Sequence, residues 1–187
     1  FNFTFGRGAR GRADLLRAYG QQLGFEVVVV PPVVVDGQVV SSSAIRAALK
    51  EGDVRRASLL LGYWPMLEGV VVCGDGRGKH IGFPTANIKL PPEINVPASG
   101  VYAVEVQIRG GRYYGVANIG RRPTFGDNLP ITVEVYIFDF GADLYGEILT
   151  IFLRERLRPE KRFSSAIELA EQIRNDLNQA RSALGLS

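Results

Sequence analysis

Five runs between Met66 and Leu157 decide most of what this chain can become. "MLEGVVVC", "VYAVEVQI", "RYYGVANI", "ITVEVYIF" and "EILTIFLRERL" are rich in β-branched and aromatic residues, and Gly, Pro, Asn and Asp cluster between them. No helical pattern separates these runs, and strands that follow one another by short connections form antiparallel sheets or small barrels. "RGGR" at 109–112 reads as a Gly-Gly hairpin turn between two alternating runs. The last 24 residues read as one helix. In it Ser165 and Glu168 form a capping-box pair, and Ala166, Ala170, Ile173, Leu177, Ala180 and Leu184 make one apolar stripe. The expected architecture is a barrel with one long helix packed on it.

The first third reads differently. Leu15, Leu16, Tyr19 and Leu23 recur at helical spacing, which predicts a helix over 12–23. Phe25 to Val30 follows as a buried, β-branched strand, so this part is half of an α/β crossover unit. "SSSAIRAALKEGD" predicts a short helix with serine at its N-cap and Gly52 at its end. A second helix over 53–61 starts from an Asp53 cap.

Charge separates the same two parts. Residues 1–61 carry 8 Lys/Arg against 5 Asp/Glu, whereas residues 62–187 carry 14 of each. A pI near 9.2 invites a nucleic-acid partner. The balance of the larger part argues against one, and only the arginines of "FGRGARGRADLLR" would show it, as weak salt-sensitive retention on a polyanion. No run approaches the roughly 18 apolar residues of a membrane span. One cysteine excludes an internal disulfide, and no charged-then-apolar leader precedes the first helix. The expected setting is the cytoplasm.

The chemistry concentrates in "GKHIGFPTANIKL", Gly78 to Leu90. With one Cys and one His, the usual zinc ligand sets cannot be built. "GDGRGKHIG" places four glycines beside Arg77 and Lys79, and backbone N–H groups approach a polyphosphate closely where no Cβ intervenes. The spacing is not that of a P-loop, and a flexible hairpin tip explains the glycines equally well. "FPTAN" shifts the balance. In an extended segment Thr85 and Asn87 point to the same side, and their oxygens are hard, neutral ligands suited to Mg²⁺, which takes most of its shell from water and phosphate. Glu134 lies opposite Val133 and Val135 on its strand, as an exposed glutamate or as a carboxylate that accepts a hydroxyl proton during phosphoryl transfer. "RLRPEKRF" before the final helix is solvated surface, or a lid whose Phe163 stacks on a ligand.

Taken together, "GKHIGFPTANI", "GVYAVEV", "YYGVANIGRRPTF", "VEVYIFDF", "DLYGEILTIFLRERLRPEKRF" and the closing helix resemble the riboflavin kinase domain, in order from about Leu67 to Arg181. "FNFTFGRGARGRADLL" and "SSSAIRAAL" resemble the end of the adenylyltransferase domain joined to that kinase in the bacterial bifunctional enzyme. The resemblance implies a six-stranded antiparallel β-barrel plus a long C-terminal helix, preceded by a partial nucleotidyltransferase-like α/β segment, with domains over 1–61 and 62–187. It implies transfer of the γ-phosphate of ATP to the ribityl 5′-hydroxyl of riboflavin, giving FMN and ADP. It assigns Mg²⁺ to Thr85 and Asn87, the base to Glu134, the nucleotide cover to Gly76, Gly78, Lys79 and Gly82, and the flavin-side loop to Arg158 and Phe163. The histidine motif that the adenylyltransferase needs is not matched, since the one histidine is His80, so FAD formation is expected to be incomplete in this chain. The alternative is a barrel that holds flavin or nucleotide without chemistry.

Overall fold

A computed structural model describes residues 2–74, 76, 78, 81–121 and 131–186, with Arg121 described by its backbone alone. The chain divides into two compact units, residues 1–40 and 41–187.

In the first unit, α1 (Ala13–Leu23) ends on Gly24, whose left-handed φ of 78° returns its N–H to the Gly20 carbonyl. Two residues on each side, β1 (Val34–Val35) and β2 (Gln38–Val39), make a minimal hairpin. The strand expected over 25–30 does not form, and Phe25, Val28 and Val30 are exposed rather than buried. β-branched residues favour extended backbone, but a strand also needs a neighbour to receive its N–H and C=O groups. The Phe25 N–H instead closes on the Gly20 carbonyl at 3.0 Å, and no strand ladder forms over this run among the described residues.

The second unit opens with two short helices, α2 (Ser42–Glu51) and α3 (Val54–Leu61), capped as their residues dictate. The Ser41 hydroxyl accepts from the Ala44 N–H and the Asp53 carboxylate from the Arg56 N–H, while Gly52 and Gly62 close both helices in the left-handed region. Val54 belongs to the same buried cluster as the barrel interior, with Leu49 packed against it, so this helical pair counts with the barrel unit.

Six strands close into a barrel in the order β3 (Met66–Val72), β4 (Ala86–Lys89), β7 (Ile131–Ile137), β6 (Gly111–Arg121), β5 (Gly100–Ile108) and β8 (Ile148–Arg158), all neighbours antiparallel. The inward residues fill it: Leu67, Val71, Ile88, Tyr102, Val104, Ile119, Val133, Val135, Leu149 and Ile151 are all buried. The interior is a core, not a channel. The turn between β5 and β6 uses Arg109 and Gly110, with φ of 49° and 77°, and Ile108 faces Gly111 across it. The left-handed pair is therefore Arg-Gly, and Gly111 is already strand; Arg109 is held by the Glu147 carboxylate at 2.7 Å.

The last helix, α4 (Ala166–Ala183), lies outside the barrel on β5, β6 and β8. Val101, Ala103, Val116 and Phe138 face outward beneath it and form a second buried cluster with Ala180 and Leu177. The Ser165 hydroxyl accepts from the Glu168 N–H, as a capping box requires. The return bond goes one residue further back, because the Glu168 carboxylate accepts from the Ser164 N–H and hydroxyl. Those bonds and Lys161 hold the Glu168 carboxyl below its ordinary range.

Candidate active site

Strand register sets the floor of the site. Asn87 on β4 faces Glu134 on β7, Glu134 faces Asn118 on β6, Asn118 faces Val101 on β5, and Val101 faces Arg158 on β8. Val133 and Val135 point into the core, so by alternation this row lies on the outer wall of the barrel. One step along, Tyr136, Val116 and Ala103 form a parallel apolar row.

A cavity of about 280 Å³ lies over this floor. Its other walls are Leu169, Ile173 and Leu177 of α4, Phe163 of the preceding segment, and Gly78, Ile81 and Phe83. Glu134, Asn118 and Thr85 open into it. A second cavity, about 650 Å³, lies toward Asp139 and Tyr145, and the two share Thr85 and Tyr136. Thr85 therefore stands where the two cavities meet.

Glycines make this junction tight. The carbonyl of Gly78 accepts from the Phe83 N–H at 2.8 Å and the Ile81 N–H at 3.2 Å, and a Cβ on Gly78 would run into the Phe83 carbonyl. A Cβ on Gly74 would fall on the Asn87 carboxamide. Gly76 and Gly82 take left-handed φ of 68° and 85°. Lys79, with Arg77 and His80, lies outside the described residues.

The donor set near Thr85 suits a hard cation that brings its own ligands. Thr85 and Asn87 are both half-buried, and Asn87 sits beside Glu134 by register. Among the described residues no group of three His, Cys, Asp or Glu could cage a metal. Two neutral oxygens next to one carboxylate fit Mg²⁺ completed by water and phosphate.

Arg158 and Phe163 meet, as the guanidinium lies 5.7 Å from the ring centroid. The sequence did not reveal what holds Arg158. Asp176 of α4 accepts from its Nε at 2.8 Å and its Nη2 at 2.7 Å, and from the Gln172 amide at 2.9 Å. Asp176 is 3% exposed. Its position three residues from Ile173, on the apolar stripe, was the available signal. Asn118 was also missed, since in "GVANI" it looks like any outward strand residue.

A family model described as flavokinase, riboflavin kinase, matches residues 61–184. The chain belongs to the riboflavin kinase family. A model described as FAD synthetase matches residues 1–44 of this riboflavin kinase family member. The bifunctional riboflavin kinase/FMN adenylyltransferase of Bacillus subtilis is 39% identical over 184 residues, covering 96% of this chain and 57% of its own length. That of Escherichia coli K12 is 41% identical over 187 residues, covering 100% and 59%. A crystal structure described as a macrolide-efflux protein from Streptococcus pneumoniae superposes with a TM-score of 0.87 at 38% identity, over 97% of this chain and 58% of its own. The chain thus spans less than three fifths of the length of these relatives.

Proposed function

We propose that this chain phosphorylates riboflavin with ATP. The observation that carries the reading is the placement of Glu134 on the floor of the smaller cavity, beside Thr85, which that cavity shares with the larger one. A flat aromatic substrate suits the walls of Phe83, Phe163, Ile173 and Leu177, and the nucleotide takes the larger cavity. Glu134 accepts the proton of the ribityl 5′-hydroxyl as its oxygen bonds to the γ-phosphorus, and the bond to the bridging oxygen breaks to release ADP. Thr85 and Asn87 would hold Mg²⁺, which offsets phosphate charge. The glycines at 76, 78 and 82 let backbone approach the phosphates, with Lys79 adding charge. Arg158 and Phe163 border the flavin.

The domain assignment is part of this proposal. Family matches end at residue 44 and resume at 61, which supports an adenylyltransferase remnant over 1–61 and a kinase over 62–187. Ion pairs on this unit weigh against a nucleic-acid partner: Arg55 pairs with Glu155, Arg112 and Arg154 with Glu105, and Arg158 with Asp176. Among the described residues no helix is long and apolar enough to cross a membrane, and the barrel interior is filled by its core. A cytoplasmic setting follows from the reading as metabolic enzyme.

Riboflavin, ATP and Mg²⁺ incubated with the protein should give FMN, resolved by chromatography. Glu134→Gln should lower turnover about 10²–10⁴-fold while riboflavin still quenches on binding. A near-normal rate in that variant would return Glu134 to an exposed strand glutamate, and no FMN from folded wild-type protein would leave a barrel that binds without chemistry.

A further inference from the structure

We propose that Asn118 reads the hydroxylated side chain of the flavin and thereby sets the preference for a polyol over a plain alkyl chain. This rests on the riboflavin kinase reading above and deepens it. The argument is the order of groups across the floor. Going from β4 to β5, the row presents Asn87, then Glu134, then Asn118, then Val101. The first belongs with the phosphate and metal, the second with the reacting hydroxyl, and the last lies in the apolar cluster beneath α4. A substrate that spans this row has its terminal hydroxyl at Glu134 and its ring toward α4. The segment between those ends must cross Asn118.

Neighbouring strands are about 4.8 Å apart, so directly paired side chains lie about 5 Å from each other. A secondary hydroxyl one or two carbons before the reacting one comes within reach of the Asn118 carboxamide. That group suits an alcohol, because its N–H donates to the hydroxyl oxygen and its carbonyl accepts the hydroxyl proton. A cation there would pair with the base instead. The wall beyond also turns polar: a Cβ on Gly120, the next outward position of β6, would strike the Glu160 carboxylate, which lines the same cavity. Val116 and Val101 on the other sides offer an alcohol nothing. Among the floor residues of β5, β6 and β7 in this cavity, Asn118 is the polar one besides the base and the Tyr136 phenol.

A site built to hydrogen-bond an alcohol discriminates against the analogue that lacks it, because its polar group is left unpaired. The test compares riboflavin with a flavin whose N10 substituent is 5-hydroxypentyl, which keeps the terminal hydroxyl and loses the secondary ones. The whole chain should prefer riboflavin. Asn118→Ala should lower kcat/KM for riboflavin about tenfold and leave the hydroxypentyl flavin within about twofold, the scale of one lost hydrogen bond. The ratio is internally controlled, since partial misfolding lowers both rates alike. Glu134→Gln should slow both substrates equally, because it acts on the shared hydroxyl. Equal loss on both substrates in Asn118→Ala, or no loss on either, would overturn the assignment. If the wild-type chain phosphorylates neither flavin, the kinase reading fails, and fluorescence titration still decides Asn118. There, unchanged discrimination in the variant's dissociation constants overturns it, and collapsed discrimination upholds it.

Discussion

Replacing Asp176 by Asn keeps the shape of a buried side chain and removes its charge. The carboxylate accepts three hydrogen bonds, two from the Arg158 guanidinium and one from Gln172. An asparagine has one accepting oxygen, and its NH₂ would face the donating Nη2 of Arg158. One charge-assisted bond is lost, on the order of 1.5–3 kcal/mol. Breaking a fully buried pair costs about 3–5 kcal/mol. The Arg158 side chain is 19% exposed and its Nη1 already rests on the Pro159 carbonyl, so it regains part of that from water. The expected destabilisation is ~2–3 kcal/mol, or roughly 4–12 °C in Tm for a domain of this size. Trp64, the sole tryptophan, stacks under Arg154 of β8 at 4.7 Å, so its fluorescence reports on the barrel unit during urea unfolding. Combining Arg158→Leu with Asp176→Leu should cost less than Asp176→Leu alone, because no charge is then stranded. Stability of Asp176→Asn within ~0.5 kcal/mol of wild type, or a double variant as damaging as the sum of the singles, would refute the reasoning.

Thr85→Ala and Asn87→Ala should each raise the Mg²⁺ needed for half-maximal FMN formation more than they weaken riboflavin binding; unchanged metal dependence in both would make the pair structural. Gly69→Ala should destabilise toward the upper end of the about 1–3 kcal/mol of overpacking, since its Cβ would meet the Lys89 carbonyl and the Ile88 side chain; a neutral result in urea would show that β3 and β4 separate freely. Burial pushes the Tyr102 phenol up to about 12, with Arg156 opposing, and its hydroxyl donates to the Ala98 carbonyl. Its contribution is therefore complete below pH 10 and lost as pH rises toward 12, about 2.7 kcal/mol for two pKa units, and Tyr102→Phe should lack that alkaline loss when unfolding is followed against pH.

How legible this was in the chain depended on how local each cause is. Five strands and the four helices described above follow from alternation, stripe and caps, because those signals act within a few residues. Ser41, Asp53 and Ser165 each cap the helix expected of them. The sixth strand is four residues long and follows Pro84, so it shows as an extended segment and little more; β3 and β7 on either side make it a strand. Phe25 to Val30 is the converse case. Its β-branched residues are as strand-like as any in the barrel, yet they form no ladder among the described residues and are mostly exposed.

Alternation also misdirects when it comes to the site. In a barrel whose interior is packed, every residue out of phase with the core looks like a solvent position, and Glu134 and Asn118 look so. The covering helix changes their meaning. α4 packs chiefly on β5, β6 and β8, and Tyr136 of β7 borders the apolar cluster beneath it. In the proposed reading a ligand with an apolar ring and a charged end lies across the strands, its ring toward α4. The site is therefore written as one residue from each of several strands at a single register level, tens of residues apart in sequence. The candidate ligands Thr85 and Asn87 escape this dispersal because they lie two residues apart, one just before β4 and one within it. Asn118 and Asp176 do not, and only the pairing of β6 with β7 and the packing of α4 on β8 bring them to one cavity.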